Sequence, residues 1–201
     1  MGRLPIPLNK TGRREIEILR KTLAHLDLKA IYASPVLRAM QTAQILSKRR
    51  RIPLIQAPAV AEIDYGHWIG KTFDEVAGDP AYRTYHTQPH RAQAPGGEKM
   101  TNVYRRAFKF IERLRLRYPV GRVVVVSHAD VIKAILVRFL KLDLCDLLKI
   151  RIDNGSLSSL WFDGTRCRVL GVNCHAELGK LFERTDQLTP PLKRTRKITL
   201  P

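Results

Sequence analysis

Three side chains that could act on a phosphate group follow three separate apolar segments of the sequence. Arg38 comes shortly after LKAIYAS, Glu62 follows IPLIQAP, and His128 directly follows RVVVVS. A guanidinium offers a fork of donors that matches phosphate oxygens, and a carboxyl group can protonate a leaving oxygen and later activate water. These residue types therefore predict a phosphate site, provided that folding brings them together.

Each of the three residues also has an interpretation that needs no ligand. An arginine in the first turn of a helix is often a surface cation, and a single glutamate in a loop is commonly solvated. A histidine after a buried strand can be a hydrogen-bonded structural residue. The functional interpretation depends on all three residues following the ends of predicted strands. None of the three residues supports it alone.

The segments around these residues predict an α/β fold of three layers. Short apolar runs alternate with helical patterns, which is typical of a mostly parallel sheet with helices on both faces. The four valines of RVVVVS predict a strand buried on both faces. Ligands bind at the carboxyl edge of such a sheet, so Arg38, Glu62 and His128 are expected at one common edge.

Local signals place the boundaries of several elements. Asn9 is expected to cap a first helix, and Ser34, followed by proline, is expected to start a second helix that includes VLRAMQTAQILSK. Residues 73–98 contain scattered Pro, Gly and His and are expected to be irregular. The Asp-Gly pair at Asp163 predicts the turn of a hairpin.

The charge of the chain is strongly positive, because 36 Lys and Arg residues face 18 Asp and Glu residues, a net charge of +18. Such a field attracts phosphorylated small molecules, nucleic acid or acidic surfaces. The sequence has no zinc-finger spacing, no aromatic RNA-binding signature and no helix-turn-helix pattern. A solvated basic surface is therefore favoured, and nucleic-acid binding is kept as an alternative.

Composition also indicates the cellular compartment and the domain organisation. Cys145, Cys167 and Cys174 form no CxxC pair, which favours a reducing cytoplasm. No apolar run approaches the length needed to span a bilayer, so no membrane partner is expected. We expect one domain over residues 1–184 and a basic, flexible tail over residues 185–201.

Five segments, in order, resemble the motifs of the histidine phosphatase superfamily, the phosphoglycerate mutase-like proteins. IYASPVLRAMQTAQIL is similar to the family's SSPLxRAxxTA signature, and EIDYGHWIGKT is similar to EIDFGxWEGxT. APGGEK resembles the PGGES turn, VVVVSHADVIKAIL the second-histidine motif, and LNKTGRREIEIL the LTxxGxxQAxxL helix start. The resemblance extends from about Gly2 to Leu178 and implies the three-layer fold of that family.

The resemblance implies a role for each site residue. Arg38 would hold phosphate, Glu62 would be the acid and base, and His128 would lie against the phosphoryl group. Ala129 stands where the family often has glycine and would still present its backbone N–H to phosphate. No metal and no cofactor are implied. Residues 78–94 are where the family pattern would place a lid over the substrate, although a solvated loop is an equally simple interpretation.

The family pattern also includes a segment that this sequence lacks. It begins with an apolar strand that ends in Arg-His-Gly, whose histidine is the nucleophile, whereas Arg3 here precedes Leu4. We expect the nucleophile upstream of Met1 in a longer natural protein, and the chain as written to be inactive or strongly impaired. The alternative is a true truncation that binds phosphate without turning it over. Because that strand is interior to the family's sheet, its absence is expected to expose two strand edges.

The resemblance therefore predicts a phosphomonoester hydrolase that acts through a phosphohistidine intermediate on a small phosphorylated substrate. One alternative is a non-catalytic protein that binds phosphate or a polyanion through its basic surface. A second alternative is a phosphoryl transferase of the phosphoglycerate mutase type, which is less favoured because the chain lacks the extra length of the mutases. The sequence predicts neither the physiological ester nor the oligomeric state.

Overall fold

The computed structural model describes residues 2–164 and 166–175. Its α-helices are α1 (Lys10–Thr22), α2 (Leu37–Ser47), α3 (Phe73–Val76), α4 (Pro80–Thr87), α5 (Met100–Arg117) and α6 (Ala129–Phe139). Its strands are β1 (Leu28–Ala33), β2 (Leu54–Gln56), β3 (Arg122–Val126), β4 (Leu157–Asp163) and β5 (Arg166–Cys174). Short 3-10 turns cover Pro58–Val60, Gly66–Trp68, Pro89–Arg91 and Leu144–Lys149. The expected tail over residues 185–201 lies outside the described residues.

Strands β2, β1 and β3 form a parallel sheet in that order. Ile31 in the central strand pairs with Leu54 on one side and with Val124 on the other. Strand β1 is buried along its length apart from Lys29. Since all three strands run in the same direction, their carboxyl ends lie at one edge, where the segments that carry the site begin.

Helices cover both faces of this sheet, which gives the three layers that the sequence predicts. Ala30 and Tyr32 of β1 face one core, which contains the buried faces of α5 and α6. Ile31 and Ala33 face the opposite core, with Ile16 of α1 and residues of α2. This alternation is the period of two that a strand imposes on its side chains.

The hairpin of β4 and β5 forms a separate antiparallel sheet. Val125 of β3 and Phe162 of β4 pack against the same core, whereas Val126 and Leu157 pack against the opposite core. The hairpin therefore lies in the same layer as the parallel sheet without pairing with it. Among the described strands, β3 pairs only with β1, so one of its edges has no ladder partner.

The open edge limits the burial of β3. As predicted, its valines pack against helix-lined cores on both faces of the sheet, but all five residues of the strand are only partly buried. A strand loses solvent contact through a neighbour on each edge as well as through the helices on its faces. With one edge unpaired, the apolar composition of β3 does not produce full burial.

Two sequence predictions about helices are wrong. Helix α2 begins at Leu37 with Val36 as its N-cap, and the hydroxyl of Ser34 instead accepts a bond from the Val36 N–H. Residues 73–98, expected to be irregular, contain α3 and α4. The reason for α4 is a local signal, because Asp79 caps the helix through the Ala81 N–H and proline occupies its first position.

Two local expectations hold. Asn9 caps α1 by accepting a hydrogen bond from the Gly12 N–H. The predicted hairpin forms, with Asp163 and Arg166 paired beside its turn.

Within the described part of the chain, no helix is long and apolar enough to cross a bilayer. The cytoplasmic setting stays a prediction.

We predict that the central strand dominates stability. Ile31→Ala removes a fully buried side chain and is expected to lower the free energy of unfolding by about 2–5 kcal/mol. Ile18→Ala, at an exposed position of α1, is the matched control and is expected to change it by less than about 0.5 kcal/mol. Urea denaturation measures both, and equal costs for the two variants would contradict the assigned core.

Candidate active site

The structure brings Arg38, Glu62 and His128 together at the carboxyl edge of the parallel sheet, and we call these three residues the polar triad. Arg38 Nη2 lies 3.0 Å from His128 Nδ1. Glu62 Oε2 lies 3.6 Å from Arg38 Nη2 and 3.7 Å from His128 Nδ1. Residues separated by up to 90 positions in the sequence therefore surround one point.

Each member of the polar triad is positioned by the segment that follows a parallel strand. Arg38 is the second residue of α2, which follows β1, and Glu62 follows the Pro58–Val60 turn after β2. His128 lies two positions after the end of β3 and is the N-cap of α6, which begins at Ala129. The first N–H groups of α6 have no acceptor within the helix, and Ala129 supplies the first of them.

The hydrogen bonds of His128 fix its tautomer. A guanidinium only donates, so Nδ1 accepts from Arg38, and Nε2 carries the proton and donates to Ser34 Oγ at 2.7 Å. Burial and then the charges of Arg38, Arg106 and Arg3 lower the His128 pKa to about 3. His128 is therefore a neutral imidazole at physiological pH.

Glu62 has the opposite shift. Its pKa is raised to about 7, first because the side chain is buried and then because the Asp130 carboxylate lies nearby. The Ile63 N–H and the charges of Arg38 and Arg106 act in the other direction and do not cancel the effect of burial. A carboxyl group with such a pKa can both give and take a proton near neutral pH.

The two terminal nitrogens of the Arg38 guanidinium differ in their partners. Its Nη2 donates to the Gly2 carbonyl as well as to His128. Its Nη1 is buried and has no hydrogen-bond partner among the described residues. A buried guanidinium nitrogen without an acceptor is costly, and an anion beside it would remove that cost.

Two further arginines lie beside the polar triad and were not identified from the sequence. Arg3 Nε and Arg106 Nη2 both donate to the Glu62 backbone carbonyl. Both guanidiniums also bond the Glu98 carboxylate, at 3.0 Å from Arg3 Nη2 and 2.8 Å from Arg106 Nε. Together with Pro35 they line a cavity of about 380 Å³ next to the site. No sequence spacing links these three charged residues, so only the fold reveals them.

The Pro-Gly-Gly-Glu turn supports the Glu62 loop. Gly66, with φ of +49°, lies so close to this turn that a Cβ would be 2.3 Å from the Pro95 carbonyl oxygen. The Glu98 N–H donates to the Asp64 carbonyl at 2.8 Å. The turn thus fixes the segment that carries Glu62, and glycine is required at Gly66 for both conformation and space.

A buried carboxylate beside the polar triad was also missed. Asp130, in the first turn of α6, accepts hydrogen bonds from the hydroxyls of Tyr65 and Tyr85. An acidic residue at a helix start is ordinarily interpreted as a favourable partner of the helix dipole, which conceals any other role. Tyr85 belongs to α4, so part of the segment expected as a lid does contact the site region; its action as a lid stays a prediction.

One group of potential metal ligands occurs among the described residues. Asp143, Cys145 and Asp146 have ligand atoms within 4.8 Å of one another, around the start of the Leu144–Lys149 turn beyond α6. This group shares no residue with the polar triad. Exposed acidic groups of this kind are common without an ion, and the absence of a cofactor stays a prediction.

Comparison with known proteins identifies the family. The family model described as the histidine phosphatase superfamily (branch 1) matches residues 1–175. Phosphoserine phosphatase 1 of Hydrogenobacter thermophilus is 30% identical over 183 residues, which cover 90% of this chain and 87% of that protein. The adenosylcobalamin/alpha-ribazole phosphatase of Salmonella typhimurium is 26% identical over 161 residues, 79% of this chain and 80% of that protein. The chain belongs to the histidine phosphatase superfamily.

Solved structures agree with this assignment. YhfR of Bacillus stearothermophilus matches with a TM-score of 0.77 and 32% identity, covering 81% of this chain and 82% of that one. A mycobacterial glucosyl-3-phosphoglycerate phosphatase, solved with inorganic phosphate, matches with a TM-score of 0.78 and 25% identity, covering 88% and 92%. The phosphoglycerate mutase-like fold that the sequence predicted is thereby confirmed.

We predict a pH-dependent contribution of His128 to stability. The unfolded chain takes up a proton on this residue near pH 6.5, whereas the folded protein does so only near pH 3. The contribution of His128 to the free energy of unfolding is therefore complete above about pH 6.5. Below that pH it declines by up to about 1.4 kcal/mol per pH unit. The stability difference between wild type and His128→Gln, measured by urea denaturation from pH 7 to pH 4, should shrink accordingly.

His25→Gln is the control for this measurement, because His25 is exposed near the end of the first helical segment. The difference between wild type and His25→Gln should vary much less over the same range. A wild-type advantage over His128→Gln that stays constant from pH 7 to pH 4 would contradict the buried neutral imidazole.

Proposed function

We propose that the protein hydrolyses phosphomonoesters through a phosphohistidine intermediate, with the polar triad as its phosphate and proton-transfer site. The observation that carries this proposal is the meeting of Arg38, Glu62 and His128 within 3.0–3.7 Å of one another. The relatives described above are named as phosphatases, which supports the same reaction class.

In this proposal, Arg38 and the start of α6 hold the phosphoryl group. Among the described residues, Arg38 Nη1 is a buried donor without a partner, and the N–H of Ala129 belongs to the positive end of α6. The negative charge of the phosphate would offset the nearby guanidiniums and raise the His128 pKa. Nδ1 could then gain a proton and donate to a phosphoryl oxygen in place of accepting from Arg38.

Glu62 would supply the acid and base steps. With a pKa of about 7, a substantial fraction of Glu62 is protonated at neutral pH. It would give this proton to the ester oxygen as the P–O bond breaks and the phosphorus–nitrogen bond to the nucleophile forms. The resulting carboxylate would remove a proton from water as that water attacks the phosphohistidine and releases inorganic phosphate.

The nucleophile in this proposal is a histidine on a strand that precedes Met1 in the natural protein. The parallel sheet of β2, β1 and β3 and the hairpin of β4 and β5 lie in one layer but do not pair with each other. A further strand on the open edge of β3 would connect the sheet to the hairpin, which supports a nucleophile on such a strand. That position lies beside the carboxyl end of β3, where His128 begins the next helix. The chain as written would then bind phosphate with little or no turnover.

The proposed substrate is a small phosphomonoester. The named relatives are phosphatases for different esters, including phosphoserine and alpha-ribazole phosphate, so their names support the reaction class and leave the ester open. The cavity beside the polar triad, lined by Arg3 and Arg106, suits an anionic or polar leaving group.

The test compares the chain as written with a chain extended by the strand encoded before Met1, using p-nitrophenyl phosphate. The extended chain is expected to hydrolyse the ester, and removing its nucleophile should cost up to about a million-fold. In the extended chain, Arg38→Ala and Glu62→Gln should each lower kcat/KM by about 100-fold or more. Arg105→Ala, at an exposed position of α5, is the matched control and should keep the rate within about two-fold.

Two outcomes would contradict the proposal. If the chain as written turns over as fast as the extended chain, the upstream nucleophile is wrong. If the Arg38→Ala and Glu62→Gln variants keep full activity, the polar triad is not the site. A third outcome favours the non-catalytic alternative: neither chain hydrolyses the ester, yet both bind nucleic acid with an affinity that falls steeply with salt.

A further inference from the structure

Asp130 connects three parts of the structure that surround the polar triad. It lies in the first turn of α6, two positions after His128, and is 7% exposed. The Tyr65 hydroxyl, from the Glu62 loop, donates to Oδ2 at 2.5 Å. The Tyr85 hydroxyl, from α4, donates to the same oxygen, and Lys133 Nζ lies 3.4 Å from Oδ1.

These contacts place Asp130 where it can fix the position of the segment that carries Glu62. Tyr65 follows Glu62 by only three positions, so its bond to Asp130 ties the acid–base loop to the helix that begins after His128. Tyr65 also packs edge-on against Tyr85, with ring centroids 6.3 Å apart. The same cluster thus joins α4, the acid–base loop and α6.

The protons of this cluster have defined positions. Burial, followed by the charge of Asp130, raises the pKa of both tyrosines, so their hydroxyls stay protonated and act as donors. A carboxylate oxygen only accepts, so both hydroxyls donate to the same oxygen of Asp130. The result is a buried negative charge held beside a second buried carboxyl group, Glu62.

We propose that Asp130 is a positioning residue of this site: it fixes the Glu62 loop against α6 through its hydrogen bond from Tyr65, and it places a second buried carboxyl group beside Glu62. The catalytic meaning of this role rests on the proposed phosphatase function, because a protonated Glu62 is the form that can protonate a leaving group. Two carboxyl groups in one buried site resist simultaneous ionisation, so the better-solvated or better-bonded one keeps the charge. Asp130 has the two hydroxyl donors, and the Glu62 side chain has one backbone donor, the Ile63 N–H.

The charged and titratable groups around the pair come from every element that packs there. Those that face Glu62 are Arg38 from α2, Arg106 from α5, Arg3 from the N-terminal segment, Tyr65 from its own loop, and His128 and Asp130 from the start of α6. Those that face Asp130 are Tyr65, Tyr85, Lys133, His128 and Glu62. Asp130 is the group whose negative charge opposes the ionisation of Glu62.

The test is a carbon-13 NMR titration of the Glu62 side-chain carboxyl in the chain as it exists, which requires no turnover. The wild-type midpoint is expected near pH 7. Asp130→Asn keeps the shape of the side chain and removes its charge, so the midpoint should fall by about one pH unit or more. Asp143→Asn, an exposed residue beyond the C-terminal end of α6, is the matched control and should leave the midpoint in place.

A second measurement keeps the proposal testable if Asp130→Asn does not fold. Interacting sites titrate together, so the wild-type Asp130 carboxyl signal should show an inflection at the Glu62 midpoint, and Glu62→Gln should abolish it. An unchanged Glu62 midpoint in folded Asp130→Asn, or an Asp130 signal without that inflection, would overturn the proposal. A lowered midpoint alongside a failed ester assay would retain the Asp130 inference and reject the phosphatase function.

Discussion

The hydrogen bond from Arg38 to His128 is the contact on which the rest of the site depends. It joins the helix after β1 to the start of the helix after β3, and it forms only because parallel pairing brings the carboxyl ends of these strands to one edge. It also determines the protonation of His128, since a guanidinium can only donate to Nδ1. The buried bond from Nε2 to Ser34 completes the orientation of the ring.

Around this contact, burial and the arginine charges combine differently in the pKa of His128 and in the pKa of Glu62. For His128, burial and the neighbouring arginines both disfavour the charged form, so their effects add. For Glu62, the arginines favour the carboxylate, yet burial together with Asp130 outweighs a guanidinium 3.6 Å away. A neutral His128 and a Glu62 that is largely protonated below about pH 7 leave the guanidinium of Arg38 with little negative charge in contact with it, which favours the binding of an anion such as phosphate.

Much of this arrangement could be predicted from the sequence, because its signals are local. The cap at Asn9, the hairpin and the strand ends before the polar triad depend on neighbouring residues or on strand direction alone. Other features depend on contacts between distant segments. Ser34 resembles a helix cap in the sequence but bonds His128, and Asp130 resembles a dipole partner but binds two tyrosines. The partial burial of β3 reflects which strands pair beside it, and composition does not encode that directly.

The most direct measurement of the central claim is a nitrogen-15 NMR titration of the histidine side chains with inorganic phosphate, using the chain as it exists. If the polar triad is a phosphate site, the ring nitrogen signals of His128 should shift and saturate, because the anion changes the charge and the hydrogen bonds at Nδ1. The exposed His25 should respond only weakly, and Arg38→Ala should abolish the saturable shift of His128. Ring signals of His128 that stay fixed while phosphate is added would contradict the phosphate site.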